Sequence, residues 1–282
     1  MVIGIDIYNL EAEAYGAVVD TPADNGIPAI RNPAFAGVTD LADIVPLNPK
    51  SDGRIPMVIE AGKRVAEKLP QADVRIPVSG PFSIAASLMG CEELLYEVAT
   101  RPASVRAALH NLVIGQVCFC REIVRQGLDI AFFESAAAPP LLSPAAFRDI
   151  EFDALRDLLA QAAAAARHPV PCVIGGDTFG ILDDMLRTGT GYLICPFETD
   201  QAKFMKKMKA FPEVMVRINM DLRVFSAEDF DEIRREADRV IALAAGRQMV
   251  CIGTGALPYE ALPENVLKAR EYVLQRSRTS PG

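Results

Sequence analysis

Short runs of apolar, β-prone residues alternate along this chain with longer stretches whose apolar positions recur every three or four residues. The runs at 2–8, 74–79, 129–134, 170–175, 192–196, 215–219 and 249–254 are mostly continuous, the pattern of strands covered on both faces of a parallel sheet. Between them lie helical patterns: an amphipathic one at 56–69, and two or three helices in 83–127 with breaks near Gly90 and Pro102. Ser143-Pro144 opens another, with a cap and a proline at its first turn, and an alanine-rich stretch carries it through Ala166. Ser226 with Asp229 three residues on reads as a capping box ahead of a run to Ala245, and a last helix follows Pro263. Residues 21–54, rich in Pro, Gly, Asn and Asp, have no period and read as a long irregular excursion of the kind that covers a site.

Repeated β-then-α order without a compositional break predicts one α/β domain over residues 1–282, built on a parallel sheet of TIM-barrel type. Seven strands can be counted where such a barrel has eight. Half of the residues are hydrophobic and 23% are charged, enough for a large core and against disorder. The net charge of −8 argues against nonspecific nucleic-acid binding. No uninterrupted apolar stretch reaches membrane-spanning length, and no basic leader precedes an apolar block, so neither a span nor a secretion signal is read. Six cysteines with no C-x-x-C pair fit a reducing, cytoplasmic setting. Cys118, Cys120, Cys172, Cys195 and Cys251 lie in periodic apolar segments and read as interior residues.

The strands end in polar or glycine clusters: Asp6, Tyr8 and Asn9, with Glu11 and Glu13 behind them; Ser79-Gly80-Pro81-Phe82; Glu134-Ser135; Gly175-Gly176-Asp177-Thr178; Glu198, Thr199 and Asp200; Arg217, Asn219 and Asp221; Gly253-Thr254-Gly255. In a closed barrel these ends would meet on one face, where such folds place their chemistry. Any one of Asp177, Thr199 and Asp200 is explained equally well as a helix cap. Asp6 and Arg217, each in or at the end of an apolar run, have weaker structural explanations, although they could pair with each other. His110 in mid-helix and His168 in a helix-to-strand connection fall away from the active face, and neither is a catalytic candidate.

Several segments, in order, resemble the uroporphyrinogen decarboxylase and methylcobamide methyltransferase superfamily. Gly80-Pro81-Phe82-Ser83-Ile84-Ala85 looks like its GPF-type turn, and 171–178 looks like its strand ending in Gly-Asp. Gly253-Thr254-Gly255-Ala256-Leu257-Pro258 with Pro263-Glu264-Asn265-Val266 is similar to its last strand and following helix. Asp6-Ile7 with Glu11-Ala12-Glu13-Ala14-Tyr15-Gly16 resembles its second strand and the methyltransferase branch's EAEA-x-G segment. In that branch a zinc ion on a His and two Cys activates a thiol. The positions that match those ligands here are Val173, Gly175 and Ala256, so zinc at that place is not expected and no metal site is read. In the decarboxylase branch Asp6 matches the pyrrole-binding aspartate, but the arginine-rich segment that grips the substrate carboxylates would lie before this chain's start, and Thr254 stands where that branch has a histidine. A polycarboxylate tetrapyrrole is therefore a poor match.

The resemblance implies an enzyme that moves a methyl group between a small methylated ether or amine and a corrinoid held on a partner protein. Asp6, Glu134, Asp177 and Glu198 would be its catalytic candidates, and Tyr8, Asn9, Phe82, Arg217, Asn219 and Thr254 its substrate-binding ones. The alternatives are a lyase acting on a smaller substrate through Asp6, and a non-catalytic binding or assembly subunit of a methyltransferase system. The family has one more strand and helix before Asp6, which would account for the missing eighth strand. An open sheet edge needs a cover, and the family's habit of dimerising makes a homodimer the expected form.

Overall fold

The computed structural model describes residues 1–3, 8–23, 26–227 and 229–279, the last three of these as backbone only. Two compact units emerge, one of residues 1–174 with 183–191, the other of 175–182 with 192–282.

The first unit opens on a strand-like start: Val2 pairs in parallel with Arg75, and the Ile3 N–H donates to the Arg75 carbonyl at 3.0 Å. Most of the predicted first strand, Asp6 included, lies outside the described residues, and by Tyr8 the chain has turned into the helix Asn9–Ala14. The EAEA segment is therefore helical, and Tyr8 and Asn9 lie where the chain turns into that helix. An antiparallel hairpin follows, β1 (Val18–Asp20) with β2 (Ala29–Asn32), and then a 3-10 turn at Val38–Leu41. The irregular excursion thus contains paired backbone. Its strands are short and mostly exposed, with a register shift between Val18 and Val19, so no apolar period marks them.

The sheet of this unit is β3 (Arg75–Ser79), β4 (Asp129–Phe133) and β5 (Cys172–Val173), parallel throughout and with β4 in the middle. Each strand falls inside its predicted run. Ile76, Val78, Ile130 and Phe132 are fully buried, as continuous apolar strands require. The helices are Ile55–Lys68, Pro81–Met89, Cys91–Thr100 and Pro102–Arg125, so both predicted breaks are real. Gly90 breaks one because it sits at φ 92°, a conformation that a side chain disfavours. Pro102 begins the next helix at its first position, where its missing N–H costs nothing. The 24-residue Pro102–Arg125 is apolar and long enough to cross a membrane, but it buries Leu109, Leu112, Phe119 and Ile123 in this unit, as a core helix does. Ser143 caps its helix as predicted, its hydroxyl accepting from the Ala146 N–H at 3.1 Å. That helix runs through a π turn at Phe147–Glu151 before continuing as Phe152–Ala166.

The second unit carries β6 (Tyr192–Cys195), β7 (Met215–Met220) and β8 (Val250–Thr254), again parallel with β7 central. Helices Gln201–Met208, Phe230–Ala244 and Pro263–Thr279 complete it. Asp229 alone caps Phe230–Ala244, accepting from the Asp231 N–H at 2.9 Å. Ser226 belongs to the preceding 3-10 turn, so the predicted capping box is half right. Six of the seven expected strands are thus present among the described residues, as two three-stranded parallel ladders. Of the five cysteines read as interior, Cys120, Cys172 and Cys195 are buried, Cys118 is half-buried, and Cys251 is exposed on β8, a strand with no fully buried residue.

Candidate active site

In the first unit the polar groups gather where β3 and β4 end. Glu134 directly follows β4 and is fully buried. Its Oε1 accepts from both the Ser83 N–H (2.8 Å) and the Ser83 hydroxyl (2.9 Å), and the Ser83 Oγ accepts in turn from the Ala136 N–H at 3.1 Å. One carboxylate thus ties the first turn of helix Pro81–Met89 to the loop after β4. Gly80 makes room for it. A Cβ there would lie 1.4 Å from Glu134 Oε2 and 2.8 Å from its Cβ, so the glycine of the GPF turn answers to space. Phe82, a substrate-binding candidate, is fully buried beside it.

Oε2 of Glu134 has no partner. Burial, only partly offset by Ser83 and reinforced by nearby Glu11, pushes this carboxyl up to about 8. Two further buried carboxyls were not among the predicted site residues. Glu11 accepts from the Ser79 N–H at 2.6 Å through Oε2, while its Oε1 is unpartnered; burial raises it to about 7. Glu151, at the end of the π turn, is fully buried with neither oxygen bonded. Burial first and Glu134 second hold its carboxyl well above the usual range. The signal for Glu151 was present: it stands four residues after Phe147 and four before Leu155, on the apolar stripe of its helix.

Tyr8 lies over this cluster against Ser135. Burial raises its hydroxyl, with the polar groups of Ser135 pulling the other way and Glu134 adding to the rise. Asn9 is engaged elsewhere, its amide donating to the Pro28 carbonyl at 2.5 Å. His168 packs at the opposite end of β4, 3.3 Å from Asp129, and His110 is half exposed 4.0 Å from Asp157.

The second unit holds the other candidates. Asp177 is exposed and does not cap a helix. Its Oδ1 accepts from the Thr199 hydroxyl at 3.0 Å, and that hydroxyl oxygen accepts from the Phe179 N–H at 3.0 Å. Asp200 is the cap, accepting from the Lys203 N–H. Glu198 is exposed. Arg217 and Asn219, two residues apart on β7, face each other, the Arg217 Nε donating to Asn219 Oδ1 at 3.0 Å. The expected pairing of Arg217 with Asp6 involves a residue outside the described ones. Gly253 on the neighbouring strand admits the arginine, since a Cβ there would meet Arg217 Cδ at 2.6 Å. Thr254 turns its hydroxyl onto the Gly255 carbonyl. A cavity of about 590 Å³ touches Gly253 and Thr254, but Phe225, Ile241, Val250, Ile252 and Leu274 also line it, so it lies between sheet and helices rather than among the carboxylates.

Within the first unit, then, the structure brings Glu134, Tyr8 and Phe82 together and adds Glu11 and Glu151. Within the second it pairs Arg217 with Asn219 and Asp177 with Thr199. The chemistry of the first set is that of carboxylic acids kept protonated near neutral pH. The second offers a cation beside an amide and a half-free carboxylate. Val173, Gly175 and Ala256 contribute no ligand atom from their side chains, so the thiol-activating zinc does not fit these residues.

The comparisons with known proteins agree with this fold. A methyltransferase from Methanosarcina mazei, 21% identical, superposes with a TM-score of 0.80 over 98% of this chain and 80% of its own. Among curated proteins none matches the chain in sequence. Residues 1–274 match the family described as uroporphyrinogen decarboxylase (URO-D), and with it the parallel strands, the GPF turn and the Gly-Asp strand end find a common explanation: this chain belongs to the uroporphyrinogen decarboxylase family.

Proposed function

We propose that this protein transfers a methyl group from a small methylated ether or amine to a corrinoid carried by a partner protein, with Glu134 as the acid that protonates the heteroatom left behind. The observation that carries the reading is Glu134 itself: a buried carboxyl at the end of a parallel strand, held by Ser83 through one oxygen, with the other free and the proton retained to about pH 8. Demethylation breaks a carbon–heteroatom bond, and the methyl group passes to the corrinoid. The electron pair stays on oxygen or nitrogen, where a neutral acid supplies the proton that makes it a leaving group. A thiolate acceptor would need the opposite environment, a cation that stabilises charge, and the zinc-ligand positions provide none. Tyr8 at Ser135 would place the substrate over Glu134; of the second unit's residues, Arg217 and Asn219 keep their proposed role in substrate orientation, and Asp177 and Glu198 theirs in holding a protonated amine. Asp6 keeps its place in this reading through its position in the family pattern, and a homodimer is its expected assembly.

The test is spectroscopic. The purified protein is mixed with cob(I)alamin and a panel of methyl ethers and methylamines, and formation of methylcobalamin is followed by its visible spectrum. Turnover with an ether or amine is expected, with Glu134→Gln slower by about 100-fold or more, the usual worth of a general acid, and Asp177→Asn slowed as well. Normal turnover in both variants would sink the reading. Loss of CO₂ from a small carboxylate substrate without methyl transfer would replace it with the lyase.

A further inference from the structure

Strand β8 is the least covered strand of the second unit. Val216 and Ile218 of β7 are fully buried, yet their register partners on β8, Val250 and Ile252, are only half-buried. Register partners present their side chains to the same face of a sheet. Helix Phe230–Ala244 packs against both strands, so it closes over β7 and leaves a space over β8. That space is the cavity of about 590 Å³, a size within the range of small-molecule sites, roughly 300–1,000 Å³.

Helix Pro263–Thr279 forms another wall. Val266, Ala269, Arg270, Val273 and Leu274 line the cavity, and their spacing of i, i+3, i+4, i+7 and i+8 puts them on one stripe of that helix. An arginine interrupts an otherwise apolar stripe. Other cations of the helix are engaged: Lys268 lies over the Phe230 ring, and Arg276 pairs with Asp238 at 3.2 Å. Arg270 makes no hydrogen bond, ion pair or ring contact among the described residues. It lines the cavity and is also exposed, as are Cys251 and Leu274, so these side chains flank the open side.

The stem of an arginine covers apolar surface on its own. Its guanidinium at the mouth of an apolar cavity does more: the planar fork of donors matches a carboxylate. No acidic residue among the described ones lines the cavity, and Thr254 already donates its hydroxyl proton to the Gly255 carbonyl. An anion entering here would therefore meet one free cation and no competing charge, with hydrocarbon behind it.

We infer that this cavity is a binding site for a small amphipathic carboxylate, with its hydrocarbon body between β8 and helix Pro263–Thr279 and its carboxylate on Arg270. The site belongs to the second unit and does not depend on the proposed methyl transfer.

The experiment is calorimetric titration of the full chain with hexanoate, octanoate and decanoate, and with octan-1-ol as the uncharged control. Alkylation of Cys251 by N-ethylmaleimide, followed by mass spectrometry, reports where the ligand sits. Affinity should rise about fourfold with each added methylene, as burial of the hydrocarbon requires. Octanoate should bind ~10-fold tighter than octan-1-ol, the worth of a hydrogen bond between charged groups. The net charge of −8 disfavours anions in general, so such a preference must come from a local cation. Octanoate should also slow alkylation of Cys251, while Cys91, exposed on helix Cys91–Thr100, reacts as before. Arg270→Met, at an exposed position, keeps most of the stem and should abolish the preference, binding octanoate about 10-fold more weakly and octan-1-ol unchanged. Ala244→Phe, which fills the cavity from helix Phe230–Ala244, should weaken both ligands. Equal affinity for acid and alcohol, a preference that survives Arg270→Met, or alkylation of Cys251 unaffected by octanoate would overturn the site.

Discussion

Replacing Glu11 by glutamine should make the protein's stability less dependent on pH. The folded chain holds this carboxyl at about 7 against an ordinary 4.5, because burial outweighs the hydrogen bonds from Ser79 and Gln116. Below pH 4.5 the acid is protonated in both folded and unfolded states. Between 4.5 and about 7 the unfolded chain loses the proton while the folded chain keeps it, so stability falls as pH rises; above 7 both are ionised and the dependence ends. At about 1.4 kcal/mol per pH unit, the rise from 4.5 to about 7 corresponds to ~3 kcal/mol lost between pH 4.5 and 8. Glutamine imitates the protonated acid. Its carbonyl can still accept from the Ser79 N–H, and its amide supplies the donors that the unpartnered Gln116 Oε1 and Ser79 Oγ lack. Urea denaturation at pH 5, 6, 7 and 8 measures this directly. Glu11→Gln should match the wild type at pH 5 and exceed it by ~2–3 kcal/mol at pH 8. Glu134 and Glu151 add a slope of the same sign in both proteins; because ionised Glu11 also raises Glu134, the difference reports Glu11 together with that coupling, which has the same sign. A slope unchanged by the substitution, or a variant weaker than wild type at pH 8, would refute the reasoning.

Gly80→Ala should cost about 2–3 kcal/mol, since its Cβ falls on Glu134. Most of that cost should vanish in a Glu134→Ala background, and additive losses in the double mutant would show that the two positions do not compete for space. Arg167 ends helix Phe152–Ala166 at φ 64°, left-handed and exposed. Arg167→Gly should therefore raise the unfolding free energy by ~0.5–1 kcal/mol, and a fall would show that the arginine side chain contributes more than its backbone conformation costs.

The parallel strands were legible because both their faces are covered, which leaves continuous apolar runs such as Ile76 to Val78 and Ile130 to Phe133 between polar ends. Gly90 and Pro102 marked helix limits through properties of the single residue, a positive φ and a missing N–H. Glu134 was found because it directly follows such a run. Glu11 escaped notice as a buried acid because what neutralises it comes from Ser79 and Gln116, far along the chain. Thr199 and Asp177 looked like caps one at a time; their bond spans 22 positions and has no local signature. The hairpin at 18–32 was missed for a different reason: mostly exposed strands need no apolar alternation.

The contact between Gly80 and Glu134 has a consequence for how this sequence can drift. Fifty-four positions separate the two residues, yet neither can be exchanged freely while the other stays. A lineage that acquired any side chain at position 80 would first have to shorten position 134, and would draw the carboxylate away from Ser83 in doing so. Glycine in the turn is thus inherited on behalf of an acid on another strand, and the two should be kept or lost together.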